Sequence, residues 1–149
     1  VFRRFSRWSH KGISQRIFEA LSDDPDFGYP IVDSKIVRAH QHASGAKKGR
    51  AVDQALGRSR GGLSTRIPYG GLRARCPVRF LLTAGQSGDA PQGESPRVTL
   101  DEHLYVQRQL VECCFSRLKQ VRRVATRFEK TARNYLAVVT LAAIVLWTR

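Results

Sequence analysis

The chain has 149 residues, one domain at most, and carries 26 Lys plus Arg against 12 Asp plus Glu, a net charge of +14. That imbalance, with a pI near 10.8, calls for a polyanionic partner: nucleic acid first, a membrane surface much less, because no lysine-rich amphipathic stretch stands out. Cys76, Cys113 and Cys114 are an odd number without zinc spacing, and no apolar run follows the basic N-terminus, which excludes a disulfide-stapled secreted domain and leaves a cytoplasmic protein with reduced thiols.

In chain order, Phe2 to Leu21 reads as one helix with Ile13, Ile17, Phe18 and Leu21 on its apolar side. The helix stops at Ser22-Asp23-Asp24-Pro25-Asp26, so residues 1–28 form an N-terminal helical segment. Tyr29-Pro30 then leads into a strand over Ile31 to Val37, with Asp33 and Lys35 on one face and Val32, Ser34 and Ile36 on the other. Residues 40–60 are a basic loop carrying Lys47, Lys48, Arg50, Arg58 and Arg60, fit to order against phosphates or else to serve as a solubilising insert. Leu63 to Ile67 starts a second strand, and Val78 to Thr83 is a third. Between them, Ile67 to Cys76 reads poorly as a strand because Pro68, Gly70, Gly71 and several charges interrupt it.

Residues 85–96 form a Gly/Pro/Ser-rich linker. A helix pair follows over 101–147: Asp101 to about Phe128, and about Thr131 to Trp147. Leu136 to Trp147 is apolar for too short a stretch to span a bilayer, so it reads as a buried helix. Strands first and helices last indicate an α/β domain of the RNase H-like kind, a mixed sheet with flanking helices, over residues 29–149. The chain contains no methionine, which favours a fragment of a longer product.

On the first of the two C-terminal helices, Tyr105, Arg108, Glu112 and Lys119 follow the spacing Y-x2-R-x3-E-x6-K. At about 100° per residue they fall within a stripe about 60° wide, and Arg123 lands in it too. Leu104, Leu110, Val111, Cys114, Leu118 and Val121 take the opposite, apolar side. One carboxylate ringed by cations suits a site for phosphate and metal; the plainer alternative is a solvated charged face.

That spacing, with R-Q-L-V-E-C-C-F-S-R-L-K-Q-V-R-R-V-A-T-R-F-E-K-T-A-R-N-Y-L-A around it, resembles the C-terminal signature of DDE transposases of the insertion-sequence-five family. Tyr29 to Gly49 resembles that family's first catalytic strand and the loop after it. Gln54 to Ile67, Arg79 to Gln86 and the N-terminal R-R-F-S-R-W-S also fit, so most of the chain is covered. The resemblance implies a metal-dependent DNA transposase that cleaves at transposon ends and joins the freed 3′-hydroxyl to target DNA, bound to the nucleoid and acting as a homodimer in its DNA complex. It implies Asp33 and Glu112 as catalytic carboxylates holding Mg²⁺ or Mn²⁺, and Arg38, His40, Arg58, Arg60, Lys47, Lys48, Arg50, Tyr105, Arg108, Lys119, Arg122 and Arg123 on DNA.

The likeness is incomplete. The family's second catalytic Asp, followed by Lys or Arg, Gly and Tyr on another strand, has no counterpart. Asp89 lies in the linker and Asp101 reads as a helix N-cap. A central strand region is therefore missing between Asp89 and Pro96. The bases encoding Pro68 to Cys76, shifted by one, can read as an apolar strand, as two compensating frameshifts would leave. A truncated and catalytically impaired transposase is one expectation. A basic, non-catalytic nucleic-acid-binding protein and an unfolded relic are the alternatives.

Overall fold

Among the described residues, extended runs rich in β-branched residues meet in a six-stranded mixed sheet, and the helices gather on it. The computed structural model describes residues 1–22, 31–44, 54–71, 77–86 and 112–148. The strands are β1 (Ile31–Ala39), β2 (Gly57–Ser59), β3 (Gly62–Gly71), β4 (Pro77–Phe80), β5 (Thr83–Ala84) and β6 (Thr126–Arg127). Their order is β2-β3-β1-β6, with β4 and β5 also pairing with β3. β1 and β3 run antiparallel from Ile31 opposite Gly71 to Arg38 opposite Ser64. β6 joins the other side of β1 in parallel, Arg38 opposite Thr126 and Ala39 opposite Arg127.

The poor strand expected over 67–76 is corrected in its first half, for β3 runs unbroken through Pro68 to Gly71. The Pro68 carbonyl accepts from Leu81 N–H at 2.9 Å. In an extended strand a residue's N–H and C=O point the same way, so the donor that proline lacks would face Leu81, not β1. The antiparallel ladder to β1 is untouched. Tyr69 pairs with Phe80 and Arg66 with Thr83 in one common register. β4 and β5 are thus the expected third strand, interrupted opposite the proline.

The single N-terminal helix is two, α1 (Phe2–His10) and α2 (Ile13–Ser22). Gly12 makes the break at φ +63°, a conformation that L side chains rarely adopt. α2 then buries Ser14, Phe18 and Ser22, leaving Ile17 and Leu21 largely exposed, because the small serines allow close approach to α5 (Ala132–Trp147). Ser9 Oγ of α1 donates to the Arg133 carbonyl at 3.2 Å.

The helix expected to reach Phe128 ends much earlier. Its described part, α3, covers 112–119, and Gln120 and Val121 make a turn into α4 (Arg122–Ala125) and β6. Val121, expected on the apolar side, is the extended N-cap of α4 and is exposed. α5 matches its expectation: Thr131 caps it, its hydroxyl accepting from Asn134 N–H at 3.4 Å. Among the described residues no helix is long and apolar enough to cross a membrane.

The core joins Phe18 of α2, Val37, Ile67, Tyr69 and Phe80 of the sheet, Cys114, Phe115 and Leu118 of α3, and Tyr135, Val139, Ala142 and Ala143 of α5. Two ring pairs fix the layers: Phe18 on Phe80 at 5.6 Å, and Tyr69 on Phe115 at 5.3 Å. Stacked aromatics of this kind add about 1 kcal/mol each beyond their burial.

Candidate functional site

Glu112 begins the described part of α3 and is half exposed, while Cys114, Phe115 and Leu118 turn inward. The Tyr69–Phe115 stack sets where the helix lies over the sheet, and Tyr69 is the cross-strand partner of Asp33 on β1. One turn before Phe115, Glu112 Oε1 meets Lys35 Nζ at 3.5 Å, and Lys35 lies two residues along β1 from Asp33. Glu112 and the Asp33 position therefore belong to one locality, on the strand that lies between β3 and β6. The Asp33 side chain lies outside what is described. Phe115, absent from the apolar side read in the sequence, is fully buried with Lys119 Nζ 5.3 Å from its ring centroid.

The other expected DNA contacts fall into separate places. Lys47, Lys48, Arg50, Tyr105 and Arg108 lie outside the described residues, as do Asp89 and Asp101. Arg58 and Arg60 are exposed on β2 and the turn after it. Arg38 reaches the same turn: a Cβ placed on Gly61 would lie 3.8 Å from its Nη2. His40 and Arg122 converge on Phe128, the His40 ring at 4.9 Å and the Arg122 guanidinium at 6.0 Å. His40 Nδ1 accepts from His42 N–H at 3.2 Å, and the two imidazoles meet edge-on at 4.5 Å. Arg123 is a correction. It follows the helix break, so it leaves the stripe, and its Nε pairs with Glu129 Oε1 at 3.4 Å.

Arg127 escaped the sequence reading. Expected at the end of the first C-terminal helix, it is completely buried on β6. Its Nη1 donates to Thr65 Oγ1 at 2.6 Å and to the Ala55 carbonyl at 3.3 Å, its Nε donates to the Glu129 carbonyl at 3.0 Å, and it lies 5.2 Å from the Tyr135 ring centroid. Burial lowers its pKa from the usual guanidinium range to about 10, and burial likewise pushes the Tyr135 phenol upward. The Tyr135 hydroxyl donates to the Val124 carbonyl at 2.8 Å. No periodic signal could have found this group, because the run that holds it is too short to show a strand pattern. The basic residues of α1 and its C-cap also come together: Arg3, Arg7, His10 and Lys11, with Phe2 and Ser6, line a hollow of about 410 Å³.

A pair of divalent ions needs several convergent oxygen ligands. Among the described residues no three His, Cys, Asp or Glu side chains come together, and the one carboxylate placed at the site already faces an ammonium. Among the described residues, then, Glu112 is the carboxylate at this place, and the Asp33 side chain that the resemblance pairs with it lies outside the description.

No family model and no solved structure matches the chain. A stretch of 51 residues is 43% identical to a Brucella ovis protein named "Putative transposase for insertion sequence element IS6501", covering 34% of this chain and 39% of that protein. A stretch of 50 residues is 40% identical to an uncharacterized protein of Sinorhizobium fredii, covering 34% of this chain and 40% of the relative. The matches thus span about two fifths of each curated relative, and they relate a third of this chain to a transposase-like sequence.

Proposed function

We propose that the chain is a truncated transposase segment of the DDE kind, RNase H-like in architecture, that binds DNA and lacks effective cleavage. The observation carrying the reading is the seating of the Glu112 helix beside β1, with Phe115 on Tyr69 opposite the Asp33 position. A carboxylate-bearing helix laid against a strand that carries Asp as its third residue is the arrangement such chemistry requires. The short match to a transposase-like relative supports the same reading. The insertion-sequence-five assignment and a homodimeric DNA complex belong to the proposal as well.

The charge of +14 supplies the binding. Arg38, Arg58 and Arg60 around one turn, and Arg122 with His40 around Phe128, are the described surfaces for phosphate. Each phosphate neutralised contributes about −0.9 to the slope of log affinity against log salt. Titrating labelled duplex DNA over a salt series tests this: a steep, largely sequence-independent loss of affinity is expected, and a flat response would reject DNA as the partner. A non-catalytic nucleic-acid-binding role is the second reading, favoured by the Lys35 contact that occupies Glu112. Mg²⁺-dependent plasmid nicking abolished in Glu112→Gln would exclude it.

A further inference from the structure

At Glu112, the carboxylate described at this place, one contact opposes a divalent cation. Lys35 rises from β1 two residues after Asp33, and its ammonium stands 3.5 Å from Glu112 Oε1. It is the more sheltered of the two, 31% exposed against 50% for Glu112. A carboxylate oxygen that binds Mg²⁺ or Mn²⁺ must approach to about 2 Å. An ammonium already at that oxygen repels an incoming dication and cancels the negative charge that would attract it.

We propose that the Lys35 ammonium acts as a built-in counter-ion in the place beside Glu112 where a divalent cation would sit, so that this chain suppresses its own metal site. The inference rests on the transposase reading for why a metal would be expected there, but the competition itself is read directly at Lys35 and Glu112. Lysine suits the task because its charge is compact and its flexible stem reaches across from strand to helix. Once it is removed, Glu112 regains an uncompensated charge next to the Asp33 position.

The test is Mn²⁺ binding to the full chain, read from the loss of the free-ion electron paramagnetic resonance signal. The original protein should bind Mn²⁺ weakly. Lys35→Ala should tighten it by roughly tenfold, the scale expected for one like charge removed at short range near a protein surface. Lys35→Met, which keeps the apolar stem, should give the same gain and serves as the measurement if the alanine variant loses its circular dichroism spectrum. Adding Glu112→Gln to either variant should erase the gain. Equal affinity with and without Lys35, or a gain that survives Glu112→Gln, overturns the proposal. The DNA salt series on the same samples separates the two ideas: a steep slope with an unchanged Mn²⁺ affinity sinks the counter-ion alone, and a flat slope sinks the DNA-binding reading.

Discussion

Replacing Arg127 should be among the most damaging single changes at the described residues. The guanidinium is fully buried and donates to Thr65 Oγ1, Ala55 O and Glu129 O, which lie on β3, just before β2 and after β6. Truncation to alanine removes all three bonds and leaves a void. The bonds are not lost equally. Ala55 O keeps the Thr65 hydroxyl at 2.7 Å, while Glu129 O loses the Arg127 donor and the nearly buried Glu129 carboxylate loses a nearby positive charge. Breaking a buried charge arrangement from one side costs about 3–5 kcal/mol. Methionine at the same position fills the volume and also lifts the cost of burying the charge, which already holds the Arg127 pKa down at about 10. We therefore expect about 4 kcal/mol for Arg127→Ala and about half of that for Arg127→Met. In urea, with a slope near 2 kcal/mol per molar, the alanine variant should shift the midpoint down by about 2 M. The assay is equilibrium unfolding followed by circular dichroism. Equal losses for the two variants, or a loss below about 1 kcal/mol for alanine, would refute the reasoning.

Phe115→Ala should cost about 3–5 kcal/mol in the same assay through lost packing on Tyr69, and a near-neutral result would mean that α3 does not rest there. Tyr135→Phe should cost about 1 kcal/mol near neutral pH, for the lost bond to Val124 O. Its pH dependence has a definite sign. The folded phenol ionises above its unfolded range, so its stabilisation is present below about pH 10 and is lost above it. The gap to Tyr135→Phe should narrow in alkali, and a gap that widens would contradict the burial. Arg127 acts in the opposite sense, because above about pH 10 and below the ordinary guanidinium range the unfolded chain binds more protons, so stability from that group rises with pH there. Replacing both Arg58 and Arg60 with Ala should weaken binding to all DNA sequences alike and flatten the salt slope by up to about two phosphates' worth, and an unchanged slope would remove the β2 turn from the interface.

What the sequence shows of this fold depends on segment length. The run Ile31 to Val37 and the apolar helix ending at Trp147 are long enough to carry their own periodicity, and both are found where expected. The break at Gly12 is invisible to periodicity, since a glycine in a helical pattern is usually tolerated and only its positive φ shows the turn. The stop after Lys119 was missed for another reason: two residues of β6 gain a ladder and a buried guanidinium, a tertiary gain that local preference cannot register. For the site, the shared face of Asp33 and Lys35 was legible from strand alternation. The reach of Lys35 to Glu112 was not, because it depends on how far α3 lies over the sheet, and the Tyr69–Phe115 stack decides that.

The parallel pairing of β6 with β1 also bears on the order of events in folding. Thr126 and Arg127 meet Arg38 and Ala39 across a loop of roughly 90 residues, whose closure costs about 4 kcal/mol of chain entropy. Two ladder positions cannot offset that alone, so the strand can dock only when Arg127 reaches Ala55 and Thr65 on an already formed β2–β3 frame while α5 closes over it. During synthesis, then, the sheet waits for α5 to leave the ribosome. Substitutions at Thr126 and Arg127 should therefore speed unfolding and leave the refolding rate nearly unchanged, the kinetic mark of a late step.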